Sequence, residues 1–218
     1  MNRENLWKII TLIELCAVVA TIILDLFIPT LVILGIMVVS LLVHREHIAM
    51  MGFKRPRSWL RMAGFAFVSA FLLQLFDAGV VMPILNRLTG KTLDYSGFAS
   101  LQGNLGQLIL YLVLAWTLAA LCEELAFRGY LQKLLDDLFG NSLIGILLSV
   151  VISSLLFGLI HTEQGVVGVT VTAIDALFYS WLKRKFDNNL WASILAHGFY
   201  NSLGMIIFYF TGPIYGLW

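Results

Sequence analysis

The chain has 218 residues, 60% of them hydrophobic and 12% charged, against about 45–50% apolar and about 25% charged in an ordinary soluble domain. Apolar runs near ~20 residues recur along its length, which predicts membrane-spanning helices and excludes both a soluble globule and the roughly ten-residue alternating strands of an outer-membrane barrel. The formal net charge of +1 and the lack of Gly-rich phosphate loops, basic-aromatic surfaces and CxxC spacings point away from nucleic-acid and nucleotide partners.

Seven spans fit the hydropathy, at residues 7–25, 28–43, 59–85, 105–125, 143–161, 166–182 and 190–211, each near the length that crosses a ~30 Å hydrocarbon core. The first has a basic start (Arg3, Lys8) but no small-residue cleavage signal after its apolar run, so it reads as a retained span. Pro29 separates the first pair, GFKRPRSW (52–59) follows the second span, and NRLTGKTLDYSGFASLQGN (86–104) follows the third. Cys16 and Cys122 both lie in apolar spans, where a disulfide is not expected. The fourth segment stays helix-compatible to about residue 138. Leu131, Leu134, Leu135 and Leu138 share one face and Lys133, Asp136 and Asp137 the other, so it is expected to project into the cytoplasm. The reading is an all-α, polytopic membrane bundle of about seven transmembrane helices forming a single integral membrane domain, 1–218.

Cytoplasmic loops collect Lys and Arg. With Arg128 set aside, one side holds Arg3, Lys8, Arg45, Lys54, Arg55, Arg57, Arg61, Lys133, Lys183, Arg184 and Lys185, and the other only Arg87 and Lys91. The N-terminus is therefore expected in the cytoplasm and Trp218 outside. His44 and His47 fall in the basic loop and read as solvated.

Three short patterns inside the spans carry chemistry: EELAFR (Glu123, Glu124, Arg128), FGLIH (Phe157, His161) and HGFYN (His197, Asn201). An ionisable group in a bilayer costs about 3 kcal/mol or more unless it faces a polar interior. If the chain reverses at Gly140 and Asn141, Glu123 and His161 stand about 25 and 31 Å from the turn, and His197 about 10–12 Å inside the last span. With the overhang of the fourth helix, all three patterns reach a similar depth below the cytoplasmic face.

Helical spacing separates their roles. Glu124 and Arg128 are four apart and can pair, which reads as a buried ion pair supporting the architecture. Glu123 is rotated by about 100° and left available. His197 and Asn201 share one face, and Phe157 packs one turn from His161. A poorly solvated carboxylate makes a general base near neutral pH. Water held between Glu123 and His161 would be the nucleophile, with Asn201 and His197 donating to the oxyanion. Asp77 and Asp175 lie within spans, with helix packing as the default role for both, although Asp175 is near enough to approach the site.

The ordered set EExxxR, FxxxH and HxxxN resembles the CAAX-protease and bacteriocin-processing (CPBP/Abi) family of intramembrane endopeptidases, also described as type II CAAX prenyl endopeptidase-like. The resemblance covers mainly residues 105–205, with GFKRPRSW similar to a basic loop common in the family. It implies Glu123 and His161 as the water-activating pair, His197 and Asn201 at the oxyanion, and Glu124, Arg128 and Phe157 in support, with no cofactor. The implied partner is a membrane-associated peptide or protein, a C-terminal tail among its forms, in the lipid bilayer; the small size, with no extra domain, suggests a prokaryotic member and so a prokaryotic plasma membrane. The alternatives are a zinc-dependent intramembrane hydrolase with Glu123, His161 and His197 as ligands, chemically reasonable by ligand type, or a non-enzymatic immunity, scaffold or transport protein of the same fold.

Overall fold

The computed structural model describes residues 3–218, with side chains from residue 6 onward; the Arg3 side chain, counted above among the cytoplasmic charges, lies outside the described residues. Seven long helices make up the molecule: α1 (Arg3–Ile23), α2 (Pro29–His44), α3 (Trp59–Thr89), α4 (Leu105–Phe139), α5 (Leu143–Leu159), α6 (Gly165–Lys185) and α7 (Leu190–Thr211). Five segments are long and apolar enough to cross a membrane, whereas α2 and α5, at 16 and 17 residues, are shorter apolar helices. The chain is an integral membrane protein. Its outward faces carry bare apolar side chains such as Leu42, Leu60, Phe27 and Leu143, a surface that only lipid or another protein would cover.

Local chemistry sets the helix ends. Pro29 opens α2, where its missing N–H costs nothing. Ser58, Asn104, Ser142 and Asn189 cap α3, α4, α5 and α7 by accepting first-turn N–H groups. Gly140, at φ +76°, allows the α4–α5 reversal. Two stretches, Asp77–Val81 in α3 and Ala115–Leu131 in α4, have π-helical hydrogen bonding to the carbonyl five residues back. Nothing in the sequence periodicity announces them, and such geometry recurs at functional sites.

The centre of the bundle is α7, which packs on α3, α4 and α6, while α1 and α2 flank α4 and α5. Gly198 makes the α4–α7 approach possible, because a Cβ there would lie 2.5 Å from the Trp116 ring. Gly158 does the same between α5 and α6, where a Cβ would meet the Val169 carbonyl at 2.5 Å. One core layer joins Val18, Ile33 and Met37 to Phe127, Leu131 and Phe157. A second joins Met62, Ala66 and Leu73 of α3 to Tyr179, Leu182, Ala192 and Ala196.

The C-terminal turns of α4 bury Leu131, Leu134 and Leu135 and pack on α1 and α5. Two expectations need correction. The fifth helix ends at Leu159 rather than carrying His161, because residues 160–164 turn back through a 3-10 segment into α6. Nor is His44 solvated: its Nε2 lies 3.1 Å from Glu14 Oε1 and its ring packs on Trp7.

Candidate active site

Glu123 (α4), His161 (the α5–α6 turn), and His197 and Asn201 (α7) line one half-open cavity of about 520 Å³, together with Phe157. The rest of the lining is largely apolar, with Phe71, Leu75 and Ala78 from α3 on one side and Leu114, Leu118 and Ala119 from α4 on the other. Both helices pack on α7 but not extensively on each other, so the cavity lies between them.

Helix α4 orients its two adjacent glutamates differently. Glu124 is fully buried, with Oε1 3.0 Å from His197 Nδ1 and 3.1 Å from Arg128 Nη1. The guanidinium carbon lies over the Phe157 ring, 4.1 Å from its centroid. Thus Phe157, Arg128, Glu124 and His197 form one continuous assembly across α5, α4 and α7. Glu123 faces the cavity with 16% of its side chain exposed, and its Oε2 is 4.0 Å from His197 Nε2, a separation suited to a bridging water rather than a direct bond.

Both imidazoles have their tautomers fixed by neighbours. His161 Nδ1 meets the Phe157 carbonyl oxygen at 3.0 Å; a carbonyl only accepts, so Nδ1 carries hydrogen and a neutral ring keeps its lone pair on Nε2. His197 Nδ1 donates to the Glu124 carboxylate beside Arg128. Its Nε2 therefore accepts when the ring is neutral and donates when the ring is imidazolium. Tyr179 stacks on the His197 ring at 4.8 Å and 14° and restricts it from the other face.

Sequence spacing anticipated the Glu124–Arg128 pair but not the second task of Glu124 as the acceptor for His197. It also missed Lys183, which is buried and donates from Nζ to the Arg128 carbonyl, and Tyr179. Asp175 and Tyr200 also line the cavity. The only available signals were polar side chains at helical spacing on α6, which do not specify what they face. For zinc, Glu123, His161 and His197 would have to converge; among the described residues no three His, Cys, Asp or Glu side chains come together in a way that could hold a metal ion. The arrangement does not fit the ion.

Part of the chain resembles known proteins. Residues 105–203 match the sequence model of the Rce1-like family, described as "Type II CAAX prenyl endopeptidase Rce1-like"; this segment contains every residue just placed on the cavity or its support except those of α3. An uncharacterized protein of Mycoplasma capricolum subsp. capricolum is 30% identical over 101 residues, which are 46% of this chain and 28% of that protein. The match thus spans little more than a quarter of that relative. No solved structure matches. The family match is thus confined to residues 105–203, a little under half of the chain.

Proposed function

We propose that this Rce1-like chain is an endopeptidase that hydrolyses a peptide bond of a membrane-associated protein or peptide, using water activated by Glu123 and His161. The observation that carries the reading is the gathering of Glu123, His161, His197 and Asn201 from α4, α7 and the α5–α6 turn onto one otherwise apolar cavity. Isolated polar groups at that depth are costly, and their convergence is the usual mark of function.

In this reading the scissile carbonyl lies toward Asn201 and His197. The Asn201 amide and the His197 Nε2–H of the imidazolium donate to the oxygen as it becomes an oxyanion, a stabilisation worth several kcal/mol per well-placed donor, roughly 2.7–4. His161 Nε2 accepts one hydrogen bond from the water and orients it. Glu123 takes the other proton as the water oxygen bonds to the carbonyl carbon. When the tetrahedral adduct collapses, the C–N bond breaks and Glu123 returns that proton to the leaving nitrogen. Each atom is accounted for without a covalent enzyme intermediate. Glu124 and Arg128 hold His197 in position and balance its charge.

The gap between α3 and α4 supports entry of substrate sideways from the bilayer, with apolar side chains on Phe71, Leu75, Leu114 and Leu118. The excess of basic residues supports a cytoplasmic position for the α2–α3 and α6–α7 connections and the N-terminus. A cleavage assay in detergent on a library of peptides and prenylated tails tests the function. Products that are absent with Glu123→Gln and present with the parent chain support it, and no product from any class favours a non-enzymatic role for the same fold.

A further inference from the structure

Behind the α7 groups lies a second polar cluster that the proposed reaction does not use. Asp77, at the start of the π turn in α3, is wholly buried, and Asp175 of α6 is 4% exposed. Their carboxyl groups meet across the α3–α6 boundary. Asp77 Oδ2 also accepts from the Tyr200 hydroxyl at 2.7 Å. One turn earlier, Gln74 Nε2 donates to the Tyr200 backbone carbonyl at 3.0 Å. Tyr200 is the residue before Asn201, and α3 holds it by both side chain and main chain. Its ring meets Tyr179 edge-on at 6.4 Å, and Tyr179 stacks on His197.

The hydrogen-bond inventory restricts the chemical state of this pair. The Oδ1 atoms of Asp77 and Asp175 are buried and receive no donor from any other side chain or backbone group. Ionised carboxylates only accept, and two in contact away from water repel. Among the described residues no basic side chain forms an ion pair with either one. The surrounding ionisable groups are Tyr200 on α7, Tyr179 on α6, Tyr95 in the α3–α4 loop and, farther off, Arg128 on α4.

We propose that Asp77 and Asp175 share one proton, and that the resulting carboxyl–carboxylate bond is a positioning element that fixes the α7 segment carrying His197 and Asn201 against α3 and α6. Tyr200 transmits the constraint to Asn201, and Tyr179 transmits it to His197. The π turn supplies the geometry by swinging Asp77 inward at the point where α3 forms the cavity wall. The positioning half rests on the peptidase reading above; the proton-sharing half does not.

Infrared spectra of protein labelled with 13C at its aspartate carboxyls test the first half without any substrate. At neutral pH one isotope-shifted protonated-carboxyl band is expected, and it disappears in both Asp77→Asn and Asp175→Asn. Absence of the band, or its survival in both variants, overturns the shared proton. The second half is read as turnover per folded molecule on any peptide the parent chain cleaves. Asp77→Ala, which removes the acceptor for Tyr200, is expected to lower kcat about tenfold with KM within about twofold, and Asp77→Asn, which keeps that acceptor, to recover to within about threefold of the parent. If Asp77→Ala does not fold, Tyr200→Phe carries the same kcat test. Unchanged kcat in a folded variant with a lower melting temperature makes the cluster a packing device only and overturns the positioning role. A chain that cleaves nothing removes the peptidase reading and the positioning role together, while the infrared result still decides the proton.

Discussion

Two Glu–His pairs of nearly identical length lie in this molecule, Glu14–His44 at 3.1 Å between α1 and α2 and Glu124–His197 at 3.0 Å between α4 and α7. His44 of the first lines a polar pocket with Trp7, Lys8, Glu46, Lys133 and Asp137, where Lys133 pairs with Glu46 and Asp137. The second is more deeply buried, has Arg128 on the carboxylate and Tyr179 on the ring, and faces Glu123 across 4.0 Å. The separation within a pair therefore does not distinguish a fastening from a reactive centre. What differs is the neighbourhood: the first stands beside a separate set of ion pairs around Lys133, while the second is held from both sides and opens on a cavity with a further carboxylate, Glu123.

That contrast is open to direct attack, and the largest expected effect is at Glu123. Glu123→Gln keeps volume but removes the base, so turnover falls by about 10²–10⁴ while the melting temperature in detergent barely moves; near-normal turnover in an intact bundle would sink the mechanism. Next comes Glu124→Gln, which leaves Arg128 without its counter-charge and costs about 3–5 kcal/mol of stability. Because the same carboxylate holds His197, turnover per folded molecule should also fall, and measuring melting and kcat on the same preparation separates the two effects.

A smaller loss is expected from Lys183→Met, which strips the buried donor from the Arg128 carbonyl at a cost of about 1–3 kcal/mol, seen in thermal melts with kcat little changed. Glu14→Gln is the matched control on the other pair. It should cost under about 1 kcal/mol, the range of pairs with access to water, and leave kcat as it was; a loss as great as that of Glu124→Gln would erase the distinction between the two pairs. The smallest effect is expected from exhaustive chelation, which should leave hydrolysis unchanged since Glu123, His161 and His197, though on one cavity, do not come together closely enough to share an ion. Activity lost with chelator and restored by zinc would show that Glu123, His161 and His197 close around an ion after all.

Much of the site was legible because i, i+4 spacing survives small changes in helix geometry. Glu124 with Arg128 is one case, and Phe157 beside His161, at 4.9 Å between rings, is another, even though His161 itself lies past the end of α5. The length argument that set Glu123, His161 and His197 at similar depth used rise per residue, a turn at Gly140, the basic connection before α7 and the overhang of α4. The role of Glu124 toward His197 was not legible, since it spans 73 residues of sequence and depends on the rotation of α4 about its own axis, where π-helical hydrogen bonding departs from the regular 100° step. Asp77 and Asp175 looked like isolated polar residues for the same reason: no local pattern specifies which helices become neighbours.

By itself, then, the sequence determined the solvent, the helices and the residue types of the site, because hydropathy, capping and helical period act over distances of one helix or less. Tertiary structure alone decided that α7 stands between α3 and α4 with Gly198 against Trp116, that one glutamate serves His197 while its neighbour faces the cavity, and that two aspartates 98 positions apart meet behind Asn201. Those outcomes depend on helix rotation and on close approach of backbones, and packing between distant segments sets both.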